Sequence, residues 1–181
     1  FKFAIDKIYI SNTIKIGIGL AVGTIFIPIG IAFNKKNYTT TSEILNGLGV
    51  SILYFTCSFA GVYYAIWDST TVFITMLIIT AFVSVYSYQT NSRLLMNLSI
   101  LGALIAPLTL KPHGDQVFSL FIYLLIINSA YFYTSISKKW LELRIIPFLG
   151  TWLLYTIYYL HFEPESYIKP LFYATSAFLF Y

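Results

Sequence analysis

Long apolar runs separated by short polar breaks organise this chain. Crossing about 30 Å of hydrocarbon takes about 20 mostly apolar residues. Six runs reach that length, at 14–33, 43–66, 70–89, 92–110, 117–137 and 140–161, and a seventh begins near 168 and runs to 181. Stretches such as SLFIYLLIINSAYFY are apolar all round and lack the strict alternation of a membrane-barrel strand, so the period predicts helices. The breaks have local causes. NKKNYTTTSE supplies a helix start at Ser42 and Glu43, and WDST offers Asp68 as a cap. TNSR, SISKK and EPES are short polar turns, while APLTLKPHGD carries Pro107, Pro112 and Gly114, which cannot all continue a helix. Short loops make successive helices antiparallel neighbours. The expected fold is an all-α integral membrane protein, a bundle of six to seven antiparallel transmembrane helices forming one domain over residues 1–181.

Composition supports that reading. The chain is 58% hydrophobic and 10% charged, too little charge to coat a water-facing surface around so much apolar material. The net charge of +4 does not point to nucleic acid, because the basic residues sit as pairs and singletons between apolar runs. That placement reads as topology. Lys35, Lys36, Arg93, Lys138 and Lys139 fall in loops on one side, which places those loops in the cytoplasm. The other side holds Lys111 and Lys169 with Asp68, Asp115, Glu163 and Glu165. Lys2, Lys7 and Lys15 near the start argue the other way. The chain opens at Phe1 and stops inside an apolar run, as a piece of a longer protein would. Its single cysteine, Cys57, lies within a run and reads as a small core residue.

Candidate chemistry is sparse. Lys15, Glu43, Glu142 and Arg144 occupy the first or last turns of their spans, where long side chains reach the headgroups. Glu142 lies one turn from Lys138 and Lys139, and Arg144 is spaced to stack on Trp140. The candidate metal ligands are His113, Asp115, His161 and Glu163, provided that their loops converge. No cofactor motif or catalytic triad spacing is present, so an enzyme is the weaker class. Small residues carry more signal. Gly19 and Gly23 share a helix face, and Gly47 and Gly49 mark the next span, a pattern that lets backbones approach in lipid. Pro28 and Pro147 lie inside spans, where they should bend the helix. Ser51, Thr56, Ser58, Thr75 and Thr151 are candidates to line a polar path. LGVSILY at 48–54 is echoed by LGTWLLY at 149–155, each after a lysine pair, which suggests a parallel repeat of about 100 residues.

Several segments resemble one bacterial family in order along the chain. FAIDKIYIS precedes a glycine-rich span, and NGLGVSILYFTCSFAGVYY, LSILGALIAPL and FLGTWLLY follow. Together they resemble the predicted membrane proteins grouped as domain of unknown function 2339. The family has more glycine around LGALIAP, where this chain has Leu101, Ala103 and Leu104. The resemblance implies a multi-pass protein of the bacterial inner membrane, usually longer than this chain. It implies no activity and transfers no functional residues. On the residues alone the favoured function is a transport or permeation module for a small or lipid-linked solute, with a membrane scaffold in a cell-envelope complex as the alternative. The expected partners are the lipid bilayer, further spans of the same chain and other membrane subunits.

The orientation is open to direct test. In intact cells, an impermeant thiol reagent should miss Lys36→Cys and Lys139→Cys and label His113→Cys and Pro164→Cys. The reverse pattern would invert the topology.

Overall fold

The computed structural model describes residues 11–109, 117–162 and Thr175, and its ordered elements there are helical. They are α1 (Asn12–Lys35), α2 (Thr39–Ser58), which runs on into a π-helical turn Phe59–Tyr63, and α3 (Ser69–Thr90). Then come α4 (Arg93–Ile105), continued by a 3-10 turn Ala106–Thr109, α5 (Val117–Lys138) and α6 (Glu142–Phe162). Asn12–Lys35, Thr39–Tyr63 and Ser69–Thr90 are long and apolar enough to cross a membrane. The expected seventh span lies outside the described residues. Two compact units divide the chain, Phe1–Ile79 and Thr80–Tyr181, with the boundary inside α3.

In the first unit α1 and α2 form an antiparallel hairpin whose seam is written in sevens. The buried residues of α1 are Ile16, Gly23 and Gly30, while α2 buries Ser42, Asn46, Gly49, Leu53 and Thr56 at alternating steps of four and three. That spacing keeps one face toward one neighbour. A Cβ on Gly23 would lie 3.0 Å from the Gly49 carbonyl oxygen, and one on Gly49 would lie 2.9 Å from that of Gly23. The two backbones therefore touch where neither residue has a side chain. Gly19 faces Thr56 and Gly30 faces the Asn46 amide, whereas a Cβ on Gly17 would meet open space.

The turn between α1 and α2 explains where α2 begins. Asn37 takes the left-handed conformation (φ 64°). The Phe33 carbonyl accepts from the Tyr38 amide at 3.1 Å, and the Asn34 carbonyl from the Asn37 amide at 3.0 Å. This is a Schellman stop, and Phe33 and Tyr38 complete it with an edge-on ring contact at 6.1 Å. The chain then re-enters a helix at Thr39, ahead of the expected start at Ser42 and Glu43. Ser42 is buried in the hairpin seam, where its hydroxyl accepts from Asn46 Nδ2 at 3.2 Å. Asp68 does act at the start of α3, its Oδ2 accepting from the Thr70 amide at 3.0 Å.

The same stop recurs twice in the second unit, at Asn91 (φ 55°) and Lys139 (φ 58°). There Ser87 and Ser135 take the place of Phe33, their carbonyls accepting from the Ser92 and Trp140 amides at 3.1 and 3.2 Å. Each serine hydroxyl also donates forward, to the carbonyl of Ser92 at 2.5 Å or of Trp140 at 2.8 Å. The core of this unit joins Met96, Ile100 and Ala103 of α4, Leu124 and Tyr131 of α5, Trp140, and Leu143, Leu154 and Tyr155 of α6. The expected fourth span is shorter as a helix than its apolar run, because α4 gives way to the 3-10 turn that carries Pro107.

Gly23→Ala and Gly49→Ala are expected to destabilise the protein by about 1–3 kcal/mol, since the added methyl meets backbone that cannot yield. Gly17→Ala should be neutral within error. Thermal unfolding in a mild detergent reads the difference, and equal midpoints for Gly17→Ala and Gly23→Ala would disprove the contact.

Candidate functional site

Polar side chains within the helices are the material from which any site must be made. In the first unit the Thr56 hydroxyl donates to the Ile52 carbonyl at 2.7 Å while its side chain covers Gly19. Thr75 donates to the Thr71 carbonyl at 2.8 Å. Hydroxyls bonded back onto their own helix need no neighbour and no water. Ser51 and Ser58 are half-buried on α2. Thr151, the fifth candidate, belongs to the second unit. It donates to the Pro147 carbonyl at 2.8 Å and accepts from Asn128 Nδ2 at 2.9 Å. The described contacts therefore tie three of these hydroxyls, Thr56, Thr75 and Thr151, to separate local partners. Gly19, Gly23 and Gly49 lie in the hairpin seam, and Gly47 is buried on α2.

A second polar group in the second unit escaped the sequence reading. The Tyr131 hydroxyl on α5 lies 3.0 Å from Ser84 Oγ on α3 and 3.0 Å from Ser99 Oγ on α4. Ser99 gives its own proton to the Met96 carbonyl at 2.7 Å. By elimination Tyr131 donates to Ser99 and accepts from Ser84, so the chain of protons runs one way and ends on backbone. Tyr131 and Ser99 are buried at 4% and 0% exposure. Among these three residues there is no base to draw the phenol proton, so their chemistry is cohesion between helices. Asn128, in the middle of the run LLIINSAYF, was the visible signal of polar contacts here.

Tyr123 performs a more specific task. Pro107 has no N–H, and its helical partner four residues back would be the Ala103 carbonyl. The Tyr123 hydroxyl donates to that oxygen at 2.6 Å, replacing the missing amide from another helix.

The described charged residues of the second unit gather at one end of it. Arg93 Nη1 lies 3.7 Å from Glu142 Oε1, and its guanidinium sits 5.5 Å from the centre of the Trp140 ring. Lys138 donates to Asn91 Oδ1 at 2.6 Å and lies 4.1 Å from the Tyr88 ring centre. Arg144 Nε donates to Ser135 Oγ at 3.0 Å, with its guanidinium 5.4 Å from the Phe132 ring centre. Two expectations change as a result. Trp140 takes Arg93, and Arg144 turns instead to Phe132. Glu142 pairs with Arg93 and not with Lys138 or Lys139, because the left-handed turn at Lys139 ends α5 before Glu142 begins α6. Of the candidate metal ligands, His113, Asp115 and Glu163 lie outside the described residues, as does the side chain of His161. Among the described residues no group of three or more metal-ligating side chains occurs.

Comparison with protein families places the whole chain. The family model for the predicted membrane proteins of domain of unknown function 2339 matches residues 1–181, and the chain belongs to that family. Comparisons with curated proteins and with solved structures give no match.

Tyr123→Phe should cost on the order of 1 kcal/mol, the scale of an interhelical hydrogen bond in a membrane protein. In a Pro107→Ala background the restored amide can serve Ala103, and the same change should cost much less. A double-mutant cycle on unfolding in detergent measures both. An equal cost in the two backgrounds would show that the hydroxyl does not replace the proline's missing donor.

Proposed function

We propose that this member of the family is a polytopic membrane scaffold, whose helices hold other membrane segments together and do not themselves enclose a solute path. The reading takes the six apolar runs as six spans of an inner membrane, with a seventh beyond them and the lysine-pair turns on the cytoplasmic side. One observation carries it: three of the five in-span hydroxyls that could have lined a path, and the Tyr131 hydroxyl with them, are committed elsewhere. Thr56 and Thr75 bond to their own helices, Thr151 to Asn128 and the Pro147 carbonyl, and Tyr131 to Ser84 and Ser99. A conduit would keep such groups facing water. The outward surface supports the same reading, since only 17% of the apolar window of α1 and 22% of that of α3 is buried within the chain. That leaves broad apolar faces for lipid or for partner helices, the neighbours that a scaffold requires.

One observation favours the transport reading as the second. The side-chain oxygens of Asn46, Asn97 and Asn128 are buried without a hydrogen-bond partner. Unpaired acceptors inside an apolar body are costly, and a passing solute or water would relieve them. Asn97 and Asn128 both belong to the second unit.

Hydrophilic thiol reagents separate the two. Native Cys57, fully buried, serves as an internal control that should remain unlabelled. In membranes, Asn128→Cys and Thr151→Cys should be as unreactive as Cys57 until the protein is denatured. Labelling of Asn128→Cys at the rate of a loop cysteine would replace the scaffold reading with the water-filled path of a transporter.

A further inference from the structure

We propose that the two hairpin tips of the second unit form a binding site for a phosphate group, the headgroup phosphate of an anionic phospholipid. The inference does not depend on whether the protein is a scaffold or a transporter; it needs only a tip at the lipid–water boundary.

The turn between α3 and α4 and the turn between α5 and α6 are tied together by Lys138, which donates to Asn91 Oδ1 at 2.6 Å. Arg93 reaches across to Trp140 and Glu142 of the other tip. This places Arg93, Lys138, Lys139 and Arg144 around one short stretch of surface, with Glu142 as the carboxylate among them. Most of this charge is positioned but not neutralised. Lys138 and Arg144 are held by aromatic faces and neutral oxygens, and neither they nor Lys139 meets a carboxylate among the described residues. Arg93 is 3.7 Å from Glu142, beyond the range of a charge-assisted hydrogen bond.

Aromatic faces steer a guanidinium without consuming its donors. Arg144 spends only Nε, on Ser135, so its two terminal nitrogens remain free to fork onto an oxyanion. Arg93 turns only Nη1 toward Glu142, and its other donors make no hydrogen bond among the described residues. Both α4 and α6 begin at this end, and the positive ends of their backbone dipoles favour an anion further. Such an array fits two or three phosphate oxygens better than a single carboxylate.

The surroundings name the source. Leu94, Tyr133, Ile136 and Leu141 at the same end are exposed at 42%, 70%, 54% and 62%. Apolar side chains so exposed around a cationic tip would lie along acyl chains while the cations meet the headgroup. Basic pockets between transmembrane helices hold anionic headgroups in this manner. A free phosphate ion shares the headgroup's chemistry but gains nothing from the apolar rim.

The test uses the full chain purified in a neutral maltoside detergent. Three probes are compared by thermal unfolding: phosphatidylglycerol, phosphatidylcholine, and inorganic phosphate at matched ionic strength. Phosphatidylglycerol should raise the midpoint by several degrees, and the other two should not. Lys138→Gln with Arg144→Gln should abolish most of that shift, with lipid affinity falling about fivefold for each charge removed. Lys35→Gln with Lys36→Gln, which removes the same charge from another turn, should leave the shift intact. A shift from inorganic phosphate equal to that from phosphatidylglycerol would overturn the lipid assignment in favour of a soluble phosphate ligand. Equal losses in the two double variants would reduce the site to bulk charge and overturn it altogether. Should the Lys138/Arg144 variant fail to fold, native mass spectrometry of the unaltered protein decides, since equal retention of the two lipids would also end the proposal.

Discussion

Inside hydrocarbon a backbone carbonyl that loses its helical partner has no water to turn to. The structure is organised around that constraint. Where Pro107 removes a donor, Tyr123 reaches from α5 to serve Ala103. Where helices stop, the left-handed turns at Asn37, Asn91 and Lys139 fold the next amides back onto the last carbonyls. In two of these turns a serine hydroxyl goes further and binds the first carbonyl beyond the stop. Within spans, threonine and serine hydroxyls bond to the preceding turn. Polar side chains here largely complete the backbone's own hydrogen bonding.

With the backbone satisfied, attraction between helices must come from contact, because lipid tails are as apolar as leucine. The α1–α2 hairpin gains that contact by omission. Gly23 and Gly49 let two carbonyl-bearing backbones meet, and Leu53 and Thr56 fill the space beside Gly23 and Gly19. The second unit works differently, through large interlocked side chains, with Leu104 seated over Gly150 and Tyr131 bonded to two other helices. Each unit therefore uses a different source of cohesion under the same backbone rule.

The apolar runs were enough to read the six described helices, since a run of 20 residues without alternation has one way to satisfy its backbone in lipid. The turn at WDST was legible too, as Asp68 caps the helix after it. The start of α2 was not. Ser42 and Glu43 look like a capping pair, but a Schellman stop at Asn37 lets the next helix begin at Thr39 without one, and nothing in the local sequence separates the two outcomes. The pairing of Arg93 with Trp140 was equally hidden. Spacing along one helix suggested Arg144, whereas the partner comes from another hairpin 47 residues away in sequence order. Contacts of that kind depend on which tips meet, and local periodicity carries no information about it. The Ser84, Ser99 and Tyr131 cluster was missed for the same reason, each residue being unremarkable in its own span.

Charge and small residues are partitioned along these helices in a way that constrains function. Among the described residues the cations and carboxylates lie near helix ends, and the middles carry only neutral polar groups. Neutral hydroxyls bonded to backbone do not change state with pH or membrane potential, so the helix middles offer no charged element for a driving force to move. The described charge of the second unit is concentrated at its tips, where aromatic rings lie against arginine and lysine. A protein built to move an ion would invest its few ionisable groups in the interior. Among the described residues of this chain the ionisable groups lie near the helix ends instead, beside the turns that join one helix to the next.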